Sequence, residues 1–181
     1  MIKIYNYGEV ENSEIFARQN TEENVSKAVS EIIAEVVKNG DKALVSYAEK
    51  FDGAKLAALE VTDAEIKEAF GAVEPAFIAV LEEAAANIKH FHEKQVRSSF
   101  VINDKDGVVM GQKVMPIEKV GIYVPGGTAA YPSTVLMDSI PAKIAGCAEI
   151  VMVTPPLASG KVNPVILAAA KTAGIDRIFK T

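Results

Sequence analysis

The run Val120-Gly121-Ile122-Tyr123-Val124 is closed by Pro125 and followed by a glycine pair, Gly126-Gly127. A helical pattern starts at Pro132, stops at Gly146, and gives way to a second apolar run, Ile150 to Val153, closed by Pro155-Pro156. Apolar run, crossover helix and apolar run together signal a parallel βαβ unit, because no tight turn can join parallel strands. Continuous apolar runs also predict strands covered on both faces. The pattern then repeats. Asn163 is placed to cap a helix, Pro164 suits its first turn, Gly174 lies past its end, and Ile178-Phe179 begin a third strand. The expectation is a βαβαβ unit whose last strand presents an unpaired edge open to association.

Upstream the signals are helical. Met1 to Gln19 carry little periodicity and read as an arm. Asn20 with Glu23 has the form of a helix cap and its reciprocal acid, and Val25, Ala28, Val29, Ile32 and Val36 fall at helical spacing. Gly40 can end that helix in a left-handed conformation. A short helix is expected from Asp41 to about Asp52, and another from Asp63 to Phe70 behind the capping box Thr62–Glu65. A longer one begins at Pro75, with an apolar stripe through Phe77, Val80, Leu81, Ala84, Ile88, Phe91 and Gln95. Phe100–Asn103 and Val108–Lys113 flank Asp104-Lys105-Asp106-Gly107, which reads as a β-hairpin turn. Composition changes near Pro116, from helical and charged to apolar α/β. This divides the chain into a helical region with a hairpin, 1–116, and an α/β domain, 117–181.

The charge balance restricts the partners. A net charge of −5 over 181 residues disfavours nucleic acid and anionic membrane, both of which need a basic face. No apolar run approaches the roughly 20 residues of a membrane span. The first residues lack the apolar segment of a secretory leader, and Cys147 is the single cysteine. Together these point to a cytoplasmic chain without an internal disulfide.

Several residues could carry chemistry. The turn Tyr123-Val124-Pro125-Gly126-Gly127 lies at the carboxyl end of an expected parallel strand, the edge where open α/β sheets bind ligands. Glycine lets a ligand approach the backbone, and the helix start at Pro132-Ser133 offers free N–H groups to an anion. The spacing is not GxGxxG, and turns use glycine widely, so the residues by themselves favour a tight strand-to-helix turn with a packed tyrosine. His90 and His92 lie about 200° apart around a helix and cannot share one metal, so packing and solvation are their expected roles. Cys147 is expected to be a buried, inert thiol. Glu82-Glu83 read as a solvated face, and Asp138 as surface or pocket rim.

The stretch Lys119 to Pro156 closely resembles the histidinol dehydrogenase family. The resemblance rests on Tyr123 to Gly127, Pro132 to Met137, Ile140 to Cys147 and Thr154 to Pro156. It extends over Gly40 to Leu44, Phe51-Asp52, Phe91-His92-x-x-Gln95 and Asn163-Pro164 with Leu167 to Ala170. It stops where the family continues into a GGAQA segment, so the chain resembles the N-terminal part of that enzyme. The resemblance implies an incomplete Rossmann-like unit of the aldehyde-dehydrogenase-like superfamily at 117–181. It implies NAD as cofactor, contacted by Tyr123, with Pro125, Gly126, Gly127, Pro132 and Ser133 shaping the pocket wall. For the complete enzyme it implies oxidation of L-histidinol to L-histidine in two NAD-dependent steps, a homodimer, and one zinc per active site. The zinc ligands and acid–base residues are expected outside this chain, which offers no metal site or catalytic residue of its own. The alternatives are an inactive fragment or structural module that needs a separate C-terminal part, and a different NAD enzyme that shares only the nucleotide turn.

Overall fold

The computed structural model describes residues 4–16, 25–126 and 129–181. It divides into two compact units, Met1–Lys38 and Asn39–Thr181. The first holds helix α1, Asn12–Ile15, and nearly all of helix α2, Ser26–Asn39. Ile32 and Val36 of the expected α2 stripe are half-buried, while Val25 and Val29 are exposed. The Asn20–Glu23 cap lies outside the described residues.

Gly40 joins α2 to α3, Asp41–Asp52, with φ 56° and ψ −135°. This conformation lies outside the left-handed helical region expected, and its positive φ favours glycine. Helix α4, Asp63–Ala72, starts on the expected capping box. The Glu65 N–H donates to Thr62 Oγ1 at 3.2 Å, and the Thr62 N–H donates to Glu65 Oε2 at 2.8 Å. Helix α5, Pro75–His92, buries Ile78 and Leu81 and leaves Val80 and Phe91 exposed at 58% and 63%. Phe77, Leu81, Ala84 and Ile88 of the expected stripe lie on the buried side, whereas Val80, Phe91 and Gln95 do not. Ile78 and Ala85 join them on the side that meets the two later helices. Strands β1, Phe100–Lys105, and β2, Val108–Gln112, form the expected antiparallel hairpin. Its turn narrows to Asp106-Gly107, where Gly107 takes φ 74°.

The α/β half follows the sequence reading in element order: β3 Lys119–Tyr123, α6 Pro132–Ala145, β4 Glu149–Thr154, α7 Pro164–Ala173 and β5 Arg177–Lys180. The three strands are parallel in the order β3-β4-β5. Two successive crossovers of the usual right hand in that order put both helices on one side of the sheet, and α6 and α7 pack together. Consequently one face is buried, through Ile122, Ile150, Met152 and Ile178. The other carries half-buried Val151, Val153 and Phe179 beside exposed Tyr123. Cover on both faces, expected from the apolar runs, is not found among the described residues. The core continues through Leu136, Ile140, Ile166 and Leu167 into α4 and α5. The composition shift at Pro116 therefore falls inside one compact unit.

Two further expectations are corrected. The outer edge of β5 is not open: Val61 N–H donates to the Ile178 carbonyl at 2.9 Å, Lys180 N–H donates to that of Leu59 at 2.8 Å, and Glu60 bridges Phe179 in antiparallel sense. The segment after α3 returns along the strand and pairs it. Cys147 is half-buried. It sits in the turn that ends α6, its N–H on the Ala142 carbonyl at 3.1 Å, two residues before β4 begins. No helix among the described residues is long and apolar enough to cross a membrane.

Candidate functional site at the carboxyl edge of the sheet

Tyr123 ends β3 in register with Val153 of β4, which pairs in turn with Phe179 of β5. Side chains alternate along a strand, so Ile122 and Val124 point into the core while the Tyr123 ring, 61% exposed, stands on the uncovered face. The packed tyrosine of the simpler reading is therefore absent. Val124 N–H donates to the Val153 carbonyl at 2.9 Å, extending the ladder one residue past β3.

Beyond it, Pro125 and Gly126 are half-buried. A Cβ on Gly126 would lie 2.8 Å from Cγ of Pro155 and 3.3 Å from its Cδ. The glycine is thus needed for close approach between the turns that leave β3 and β4, and a stiff proline ring is the obstacle to any larger residue. Gly127 lies outside the described residues. Pro132 and Ser133 form the first turn of α6, Pro132 half-buried and Ser133 exposed. Tyr131, the residue before the helix, makes no side-chain cap. The structure therefore places Tyr123, Pro125 and Gly126 at one strand end, and Pro132 and Ser133 in the first turn of the next helix.

A family model described as histidinol dehydrogenase matches residues 16–181. The chain belongs to the histidinol dehydrogenase family. The family member from Clostridium acetobutylicum is 52% identical over 90% of this chain and 37% of its own length. That of Listeria monocytogenes serovar 1/2a is 50% identical over 93% of this chain and 40% of its own. The crystal structure of histidinol dehydrogenase from Elizabethkingia anophelis superposes with a TM-score of 0.85 at 39% identity, covering 91% of this chain and 38% of that one. The chain thus spans about two fifths of the length of these histidinol dehydrogenases, matching their N-terminal portion.

The other candidates separate. His90 is exposed; His92 is half-buried, with Nδ1 2.7 Å from Oε1 of Gln95, the last residue of the family's FH-x-x-Q segment. Asp138, Glu82 and Glu83 are exposed. Among the described residues no group of three or more His, Cys, Asp and Glu side chains could hold a metal ion, so the residues present do not fit a zinc site.

One pair at the same edge escaped sequence reasoning. Lys180, at the end of β5, has a side chain only 8% exposed, and its Nζ lies 3.0 Å from Oε1 of Glu65. Burial by itself pushes the Glu65 carboxyl up. The Thr62 N–H, the Lys180 ammonium and the Thr62 hydroxyl together outweigh it, and the pKa lies below the ordinary 4.5. Glu65 was legible as a capping residue, but nothing local signals a partner 115 positions away.

Proposed function

We propose that this chain supplies the nucleotide-facing edge of an NAD-dependent histidinol dehydrogenase, which oxidises L-histidinol to L-histidine in two steps through the aldehyde. The observation that carries the reading is the exposed Tyr123 ring at the carboxyl end of β3, the strand that precedes a helix whose N-cap residue, Tyr131, makes no side-chain cap. Parallel α/β sheets bind ligands at that edge. The uncapped first turn of α6 suits a pyrophosphate oxygen, and Tyr123 gives an aromatic surface to a planar ring. Pro125, Gly126, Gly127, Pro132 and Ser133 shape the wall. In this reading the β3–β5 sheet is part of a Rossmann-like domain of the aldehyde-dehydrogenase-like type, 117–181, and the complete protein is a cytoplasmic homodimer. NAD, when bound, supplies the hydride acceptor. The residues of this chain bind and orient it.

The test is the dissociation constant of NAD for Tyr123→Ala in the full-length enzyme carrying this chain. Loss of an aromatic partner is expected to weaken NAD by about 1 kcal/mol, roughly fivefold, with histidinol affinity nearly unchanged. Unaltered NAD binding by a folded variant would remove Tyr123 from the site.

Zinc and the acid–base groups belong, in this proposal, to the rest of the protein. Hydride transfer needs an oriented alcohol and a base to take its proton. Catalytic zinc sites commonly use three protein ligands, whereas His90 and His92 point to different sides of α5. This chain alone, given histidinol, NAD and zinc, is expected to produce no NADH, and addition of the C-terminal portion to restore turnover. Zinc-dependent turnover by the chain alone would overturn this division.

A further inference from the structure

A cleft of about 360 Å³ opens where the end of α5 and the 3-10 turn Glu93–Gln95 face the second half of α6. It lies at the far end of α6 from Pro132 and so away from the Tyr123 edge. A helix of 14 residues separates the two ends by about 20 Å. The polar side of the cleft is His92, Gln95 and Arg97; Met115, Pro141 and Ile144 are part of its apolar side.

Three observations fix what such a cleft would take. Its lining contains no carboxylate, although the chain carries a net charge of −5. Arg97 lines the cleft and is exposed, and a guanidinium can hold a carboxylate through two N–H groups at once. The hydrogen bond from His92 Nδ1 to Gln95 Oε1, 2.7 Å long, orients the ring. With the proton on Nδ1, Nε2 of the neutral imidazole accepts a hydrogen bond. The apolar wall suits a compact hydrocarbon body.

We propose that this cleft binds a small organic carboxylate with a hydroxyl or N–H next to the acid group and a compact apolar or aromatic body. Arg97 holds the carboxylate, His92 Nε2 accepts from the neighbouring hydroxyl or N–H, and the body lies against Met115, Pro141 and Ile144. The site is independent of the nucleotide reading, since none of these residues lies at the carboxyl edge.

Mandelate is a suitable probe, because it combines carboxylate, α-hydroxyl and phenyl group. Titration of the 181-residue chain at pH 7.5, followed by NMR of the His92 ring and the Arg97 side chain, should give saturable shifts at both. Neutral mandelamide should bind about tenfold more weakly, as should mandelate to Arg97→Gln, the loss expected for one charge-assisted contact. Arg97→Lys, which keeps the charge without the fork, should fall between. Phenylacetate, lacking the hydroxyl, should bind more weakly than mandelate to the unaltered chain but equally well to His92→Leu. Equal affinity for mandelate and mandelamide, or undiminished binding to a folded Arg97→Gln variant, overturns the proposal. So does the absence of saturable shifts. If Arg97 merely offsets the negative end of a helix, Arg97→Gln will lower the melting temperature without changing mandelate binding, which is also a refutation.

Discussion

Glu65→Gln is expected to lower the unfolding free energy by about 3 kcal/mol at neutral pH, measured by urea denaturation. The Lys180 side chain is nearly buried and Glu65 is its ion-pair partner. Removing one member of a buried pair leaves an uncompensated charge, at a cost of about 3–5 kcal/mol. The lower end applies here because the Glu65 side chain retains 24% exposure. The double variant Glu65→Gln, Lys180→Met should recover much of the loss, since no charge is then stranded.

The pH dependence has a definite sign. The folded-state pKa of Glu65 is depressed below its ordinary 4.5. Its contribution is therefore complete above that value and is lost as pH falls through the lower folded-state value. Unaltered protein should lose stability in that acid window, and Glu65→Gln should lose less. Parallel pH profiles for the two would show that the pair does not couple folding to protonation.

Leu136→Ala should cost about 2–5 kcal/mol, a large share of the roughly 5–15 kcal/mol that a domain has available. Leu136 is 1% exposed and lies one turn past the start of α6, in the core beneath the candidate site. Truncation there loses both transfer energy and packing, whereas Leu136→Met, nearly equal in volume, should cost less than about 1.5 kcal/mol. The check is the urea midpoint with the slope unchanged. A midpoint shift no larger for alanine than for methionine would mean that α6 is not anchored through this residue.

What the sequence made legible was what short-range chemistry encodes. Thr62 and Glu65 announce their helix because the capping box closes over three residues. Asn163-Pro164 and Gly174 bound α7 for similar local reasons. The βαβαβ order was readable because Pro125, Gly146 and Pro155 punctuate it. The candidate turn was legible as a position at the strand end. The reason for Gly126 was not, since the Pro155 ring that forbids a side chain belongs to another turn. The α5 stripe was legible through Phe77, Leu81, Ala84 and Ile88, but Val80 and Phe91 are as apolar as Ile78, and only the neighbours decide which of them is covered. Cover on both faces was inferred from apolar runs, but consecutive crossovers in sequential strand order put α6 and α7 on the same side.

The strip Leu59–Val61 that closes β5 also bears on how the chain is made. Its hydrogen bonds, together with the Glu60–Arg177 and Glu65–Lys180 ion pairs, join positions 115 to 117 residues or more apart. During synthesis that strip and the first turn of α4 leave the ribosome long before β5 exists to receive them. At about 5–20 residues per second the wait is on the order of ten seconds. Until then the Val61 N–H and the Leu59 carbonyl lack these partners, and closing so long a loop is slow compared with forming the helices on either side. Docking of β5 against Leu59–Val61 thus follows the formation of the helices between them, and the pairing that closes this edge is set by a contact of long sequence separation.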